Sequence, residues 1–203
     1  MTFLDLLKEY KIILASQSPR RQDLLKEAEI EYTLAPKIDV DESFNKKLKK
    51  EKIPLFLSEL KAGAYKSNLT EKNQILITAD TIVWQNKNML GKPTSEKDAF
   101  KIIKQLSDNK HYVFTGVTLT SQEKQVSFYS KSTVFFDALS KDEIKYYIEK
   151  YKPFDKAGAY GIQEWIGYIG IKKIKGSFYN VMGLPVHQLY VELKKFIGFK
   201  DKQ

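Results

Sequence analysis

The alternation of apolar and polar positions divides the chain into short strands and amphipathic helices. "KIILAS" (residues 11–16) is a brief apolar run that reads as a buried strand. Ser18 and Pro19 follow as an N-cap and a first helical residue, and "RRQDLLKEAEI" continues at helical spacing. "EYTLAPKI" (31–38) reads as a second strand, closed by the acidic turn "DVDES". "IPLFLSELKAGAYKSN" (53–68) has the apolar spacing of a helix. "QILITADTIVWQ" (74–85) is a β-branched strand long enough to cross a sheet, with "NKN" as a hairpin turn and "MLGKP" as its return.

Residues 95–107 ("SEKDAFKIIKQLS") predict a helix with acids in its first turn. "HYVFTGVTLTS" and "KQVSFYSKSTVFF" predict a β-hairpin, and "SKDEIKYYIEKY" (140–151) another capped helix. "WIGYIGIKKIKGSF" (165–178) is strand-like, and a closing helix follows "MGLP". The order is mixed α/β, with a large sheet that need not be purely parallel. No linker divides it, so a single domain over 1–203 is expected. "KAGAY" occurs at both 61–65 and 156–160, but the flanks do not match and the repeat reads as coincidence.

Composition narrows the function. The chain's 203 residues suffice to bury a real core, and 42% hydrophobic residues exclude wholesale disorder. With no cysteine there is no disulfide framework and no thiolate metal site. The N-terminus "MTFLDLLKEYKIILAS" is broken by charges and lacks a signal-peptide centre, and no stretch approaches a membrane span. The expectation is a cytoplasmic protein with no membrane partner. A net charge of +9 invites a nucleic-acid reading. The lysines, however, alternate with acids along helix faces, so no nucleic-acid partner is expected.

One oddity stands out in that charge. Of 34 Lys and Arg, arginine occurs only at positions 20 and 21. A guanidinium differs from an ammonium where a planar fork must hold two oxygens at once. A strand ending at Ser16 and a helix opening at Pro19 present free backbone N–H groups at a positive dipole end, a ready anion site. Positive side chains in the first turn oppose that dipole, and an anionic ligand would remove the conflict. No glycine-rich phosphate loop is present. Asp80 lies in an otherwise apolar strand, where an unpaired carboxylate is costly. Glu42 sits at a strand end, Lys92 is framed by glycine and proline, and Lys61 and Lys156 each precede Ala-Gly-Ala-Tyr. Two acids able to hold a magnesium or manganese ion, with basic groups to take up phosphate charge, make a coherent set with water as nucleophile. His111 and His187 read as structural.

Together, "LASQSPRRQDLL", "ADTIV", "LGKP", "DKAGAYGIQ" and "GSFYNVMGLP" resemble the Maf-like nucleoside triphosphate pyrophosphatases, in order from Ile12 to Leu189. That resemblance implies an elongated α/β fold with a mixed sheet, two lobes and a central cleft, related to the inosine triphosphate pyrophosphatases. It implies cleavage of nucleoside triphosphates to a monophosphate and pyrophosphate with a divalent metal, a house-cleaning activity. Carried over by motif, Asp80 is the catalytic acid/base, while Arg20, Thr81 and Gln163 mark the dTTP/UTP branch. On that reading Ser16, Arg20, Arg21, Lys61, Lys92 and Lys156 handle the triphosphate, and Glu42 and Asp80 hold metal and activate water. Gln163 reads a pyrimidine edge, and modified pyrimidine nucleotides are further candidate substrates. The resemblance also allows a homodimer, a regulator of septum formation with little turnover, or a 7-methyl-GTP pyrophosphatase. The chain departs from the family pattern at Asp108, where a glycine is usual, and in "EWIGYIG" after Gln163.

Overall fold

The computed structural model describes residues 2–200. Seven strands form one mixed sheet in the order β2-β1-β3-β5-β6-β7, with β4 paired to β3. The strands are β1 (Lys11–Leu14), β2 (Thr33–Leu34), β3 (Gln74–Gln85), β4 (Asn88–Leu90), β5 (Lys110–Thr120), β6 (Gln125–Phe136) and β7 (Ile171–Lys175). The helices are α1 (Phe3–Leu7), α2 (Pro19–Glu27), α3 (Lys52–Tyr65), α4 (Glu96–Leu106), α5 (Lys141–Tyr151), α6 (Trp165–Gly170), α7 (Phe178–Met182) and α8 (Val186–Phe196). The chain divides into two compact units. The first comprises residues up to Asp80, Thr115–Ser130 and those from Gly183 onward; the second comprises Thr81–Phe114 and Lys131–Met182.

In the first unit β1 lies parallel to β2 and to β3, with Ile13 opposite Thr33 and Leu14 opposite Ile77. Ile12 and Leu14 are buried, as expected of an internal parallel strand. Helix α3 presents Pro54, Ser58, Ala62 and Tyr65 as its buried stripe. Pro54 lies against β5 at Gly116, where any Cβ would collide with the Pro54 carbonyl. One turn on, Ser58 hydrogen-bonds the Thr118 hydroxyl at 2.9 Å, and its carbonyl accepts from Thr78 Oγ1 at 2.7 Å. These bonds fix the register of the helix on the sheet.

In the second unit β6 and β7 run antiparallel, Val134 opposite Ile174. The core gathers Val83, Ile103, Leu106, Val113, Phe136, Tyr147 and Ile166 from β3, α4, β5, β6, α5 and α6. Ser95 caps α4 by accepting from Asp98 N, and Ser140 and Glu143 form a reciprocal capping box on α5. The β3–β4 hairpin turns on Asn86 and Lys87, both at positive φ (46° and 68°), the pairing a two-residue hairpin turn requires.

Most expected elements are present, with differences of clear origin. The strand read at 31–38 shrinks to Thr33–Leu34, because only those two residues pair with β1. The strand-like stretch at 165–178 is the helix α6 followed by β7. Helical spacing buries Ile166 and Gly170, and a Cβ at Gly167 would collide with the Ile162 carbonyl. Ser18 occupies the N-cap position of α2 but makes no side-chain bond to the helix. Asp108 adopts φ 53°, a left-handed conformation that its short polar side chain tolerates.

Candidate functional site

Two-residue strand periodicity places Thr78 and Asp80 on one face of β3, and three residues along α3 carry Ser58 to Lys61. The same packing that joins Ser58 to Thr78 therefore aims Lys61 at Asp80. Lys61 Nζ lies 2.7 Å from Asp80 Oδ1 and 3.2 Å from Glu42 Oε1. Both side chains of the inner pair are mostly shielded, Asp80 at 15% and Lys61 at 18% exposure, whereas Glu42 is half exposed. Two carboxylates thus converge on one cation at the end of the first unit's segment of β3.

Arg21 stands beside them. Its Nε–H donates to the Gly183 carbonyl at 2.8 Å, and Nη1 donates to the Ala79 carbonyl at 2.9 Å and to Ser16 Oγ at 3.1 Å. Ser16 Oγ also accepts from Ser18 N–H at 3.3 Å. One guanidinium therefore ties together the end of β1, the residue before Asp80 and the loop entering α8, a job that needs the fork of an arginine. Burial pushes the Arg21 pKa below the ordinary guanidinium value, while the Asp80 and Glu42 carboxylates oppose that shift. Arg20 is in the same first turn of α2, half-buried.

The second unit holds the remaining expected residues. Thr81 continues β3 and is half-buried; Lys92 is exposed after Gly91, whose carbonyl accepts Gly158 N–H at 3.0 Å. Lys156 is buried at 8% exposure, its Nζ held by Asp155 at 2.8 Å and Glu164 at 3.1 Å. Glu164 accepts a hydrogen bond from the Tyr147 hydroxyl, which in turn accepts Gly161 N–H at 3.0 Å. Burial and the adjacent Glu164 raise the Tyr147 pKa, so the phenol stays protonated as a donor. Gln163 lies in the middle of this segment, and its Oε1 is buried without a hydrogen-bond partner. His111 is wholly buried, with Nε2 2.7 Å from the Tyr160 hydroxyl, and desolvation lowers its pKa to about 3. It is a structural neutral imidazole, as expected.

The geometry thus links Ser16, Arg21, Lys61, Glu42 and Asp80 in the first unit, and Lys156 with the Gln163 segment in the second. Sequence reasoning missed Asp155, Glu164 and Tyr147. Tyr147 reads as a core position of an amphipathic helix, and the available signal was Glu164, an acid inside the apolar run "GIQEWIG". Among the described residues no group of three or more His, Asp or Glu side chains gathers. The Glu42–Asp80 pair nonetheless fits a hard divalent ion, being all-oxygen and already converging on one positive charge.

The fold and this cluster define a mixed α/β protein with paired carboxylates and basic groups grouped at strand and helix ends. The chain belongs to the Maf-like protein family, which matches residues 11–196. It is 53% identical over 189 residues to a dTTP/UTP pyrophosphatase of Bacteroides thetaiotaomicron, covering 93% of this chain and 97% of that one. Proteins of the same designation from Parabacteroides distasonis and Porphyromonas gingivalis are 50% and 49% identical, each over 95% of this chain and covering 100% and 98% of the relative. A solved structure of a HAM1 protein from Coxiella burnetii is a more distant likeness, with TM-score 0.45 and 13% identity over 92% of this chain and 99% of that one.

Proposed function

We propose that this protein hydrolyses nucleoside triphosphates to the monophosphate and pyrophosphate, with dTTP and UTP as its preferred substrates and modified pyrimidine nucleotides as further ones. The carrying observation is the convergence of Asp80 and Glu42 on Lys61, in a chain about half identical to dTTP/UTP pyrophosphatases along almost its whole length. Lys61 takes one Asp80 oxygen, and the other accepts the proton of the attacking water. The water oxygen bonds to the α phosphorus as that phosphorus's bond to the bridging oxygen breaks, and pyrophosphate leaves. Arg20 and the N–H groups opening α2 bind phosphate oxygens, and Lys92 takes up further phosphate charge. Arg21 and Ser16 hold this strand end in shape while lending it positive charge. A magnesium or manganese ion held by Glu42 and Asp80 would neutralise phosphate charge and polarise the scissile bond.

The unpartnered buried oxygen of Gln163 supports the base assignment. A buried acceptor without a donor costs roughly 1–3 kcal/mol, which a ligand N–H would offset. Thymine and uracil offer an N3–H donor there; cytosine offers an acceptor instead.

The test is pyrophosphate release from a panel of canonical and modified triphosphates, with magnesium, with manganese and with a chelator, for wild type and Asp80→Asn. The expected result is metal-dependent turnover of dTTP and UTP that falls by about a thousandfold in the variant, within the range for loss of a general base. Undiminished turnover by Asp80→Asn overturns the mechanism. Preferential cleavage of 7-methyl-GTP or inosine triphosphate keeps the chemistry and overturns the substrate assignment.

A further inference from the structure

Lys156 was expected to neutralise phosphate, yet in the second unit it is buried and gripped by two carboxylates, Asp155 and Glu164. A lysine so enclosed has its charge already matched within the protein. The same Glu164 accepts the Tyr147 hydroxyl through its other oxygen, and Tyr147 accepts Gly161 N–H. The chain Gly161 N–H to Tyr147 to Glu164 to Lys156 therefore brackets residues 161–164 from both ends. Gly161 and Glu164 are its two fixed points, and Gln163 lies between them with its buried, unpartnered oxygen. Tyr147 is wholly buried on α5, a capped helix in the unit's core, so the bracket is anchored to a rigid element. The segment has no room for a side chain at its glycines. A Cβ at Gly161 would stand 2.6 Å from the Glu164 carboxyl carbon, and one at Gly167 would strike the Ile162 carbonyl.

From this network we infer that Tyr147, Glu164 and Lys156 are positioning residues for base selection: they hold the Gln163 amide in the one orientation that accepts a pyrimidine N3–H. The inference rests on the proposed dTTP/UTP activity and deepens it. Selectivity at such a site comes from a rigid polar group that is left unpaired when the wrong base enters. An amide free to turn over would present its NH2 as readily as its oxygen and would accept cytosine. Discrimination between UTP and CTP therefore depends on the bracket, although none of its members need touch the base. Lys156 on this reading contributes through Glu164 rather than through phosphate.

The experiment measures kcat and KM for UTP and CTP, with thermal melting, for wild type, Tyr147→Phe and Glu164→Gln. Tyr147→Phe keeps the buried ring and removes only the hydroxyl. Glu164→Gln keeps the shape and removes the charge that holds Lys156. The expected result is a drop of about tenfold in the UTP-to-CTP ratio of kcat/KM in each folded variant, the scale of one lost hydrogen bond. Most of it should appear in KM. A merely structural role would lower turnover of both nucleotides together and leave the ratio unmoved, and that result overturns the inference. If one variant does not fold, the other decides; if neither folds, the network serves stability and the inference falls. A wild type that cleaves triphosphates without preferring UTP over CTP sinks the base assignment itself, and absence of any cleavage sinks the proposed activity, so these failures are distinguishable.

Discussion

Replacing Arg21 by lysine conserves charge and tests why arginine occurs at that position. The guanidinium satisfies the Gly183 carbonyl through Nε and the Ala79 carbonyl and Ser16 hydroxyl through Nη1, at 2.8, 2.9 and 3.1 Å. A lysine ammonium is a point donor on a linear stem and cannot span acceptors lying on both sides of a fork. The ammonium keeps one acceptor and loses two charge-assisted bonds, each worth about 1.5–3 kcal/mol, so the cost is about 3–6 kcal/mol. At roughly 2–4 °C per kcal/mol for a chain of this size, Arg21→Lys should melt roughly 6–24 °C below wild type. Arg20→Lys, in the same turn, should raise KM for the triphosphate by about tenfold. Scanning calorimetry reads the first variant and steady-state kinetics the second. An Arg21→Lys protein that melts with wild type refutes the structural role given to Arg21, and an unchanged KM in Arg20→Lys refutes the phosphate role given to Arg20.

The remaining predictions concern the frame around the site. His111 is held neutral to about pH 3, whereas its unfolded counterpart takes a proton near 6.5. Between those values the unfolded state binds more protons, so stability falls as pH drops, by up to about 1.4 kcal/mol per pH unit. Melting curves between pH 4 and 7.5 should show a slope that His111→Gln reduces, and an unchanged slope would count against the burial argument. Gly63→Ala, on an open face of α3, should stabilise by about 0.5–1 kcal/mol, because nothing lies near the added methyl. Gly116→Ala should destabilise by about 3 kcal/mol or more, because β5 and the Pro54 backbone leave no room. Urea unfolding of the two variants reads both, and equal midpoints would refute the packing of α3 on β5.

The amino-acid order suffices for the elements whose signals are local. The capped helices α4 and α5, the β3–β4 hairpin and the β5–β6 pair follow from side-chain periodicity, serine caps and turn residues acting over a few positions. It also marked Asp80, since a carboxylate inside an apolar strand needs a partner wherever it falls. Tertiary structure alone decided the rest. The pentapeptide "KAGAY" is regular helix at 61–65, yet at 156–160 it takes Gly158 to φ 74° and Ala159 to φ 59°. Local propensity is worth tenths of a kcal/mol per residue, and packing overrides it. In α3 the segment buries Ala62 and aims Lys61 at Asp80; in the second unit Lys156 is drawn into Glu164 and Gly158 packs on Val83. The two lysines looked alike in sequence and each meets two carboxylates, but from different backbones: Lys61 from regular helix to Asp80 and Glu42, Lys156 from beside a left-handed turn to Asp155 and Glu164. Likewise no local rule separates Arg20 from Arg21. Arg21 is placed by acceptors at residues 16, 79 and 183, which only folding brings within reach of one guanidinium.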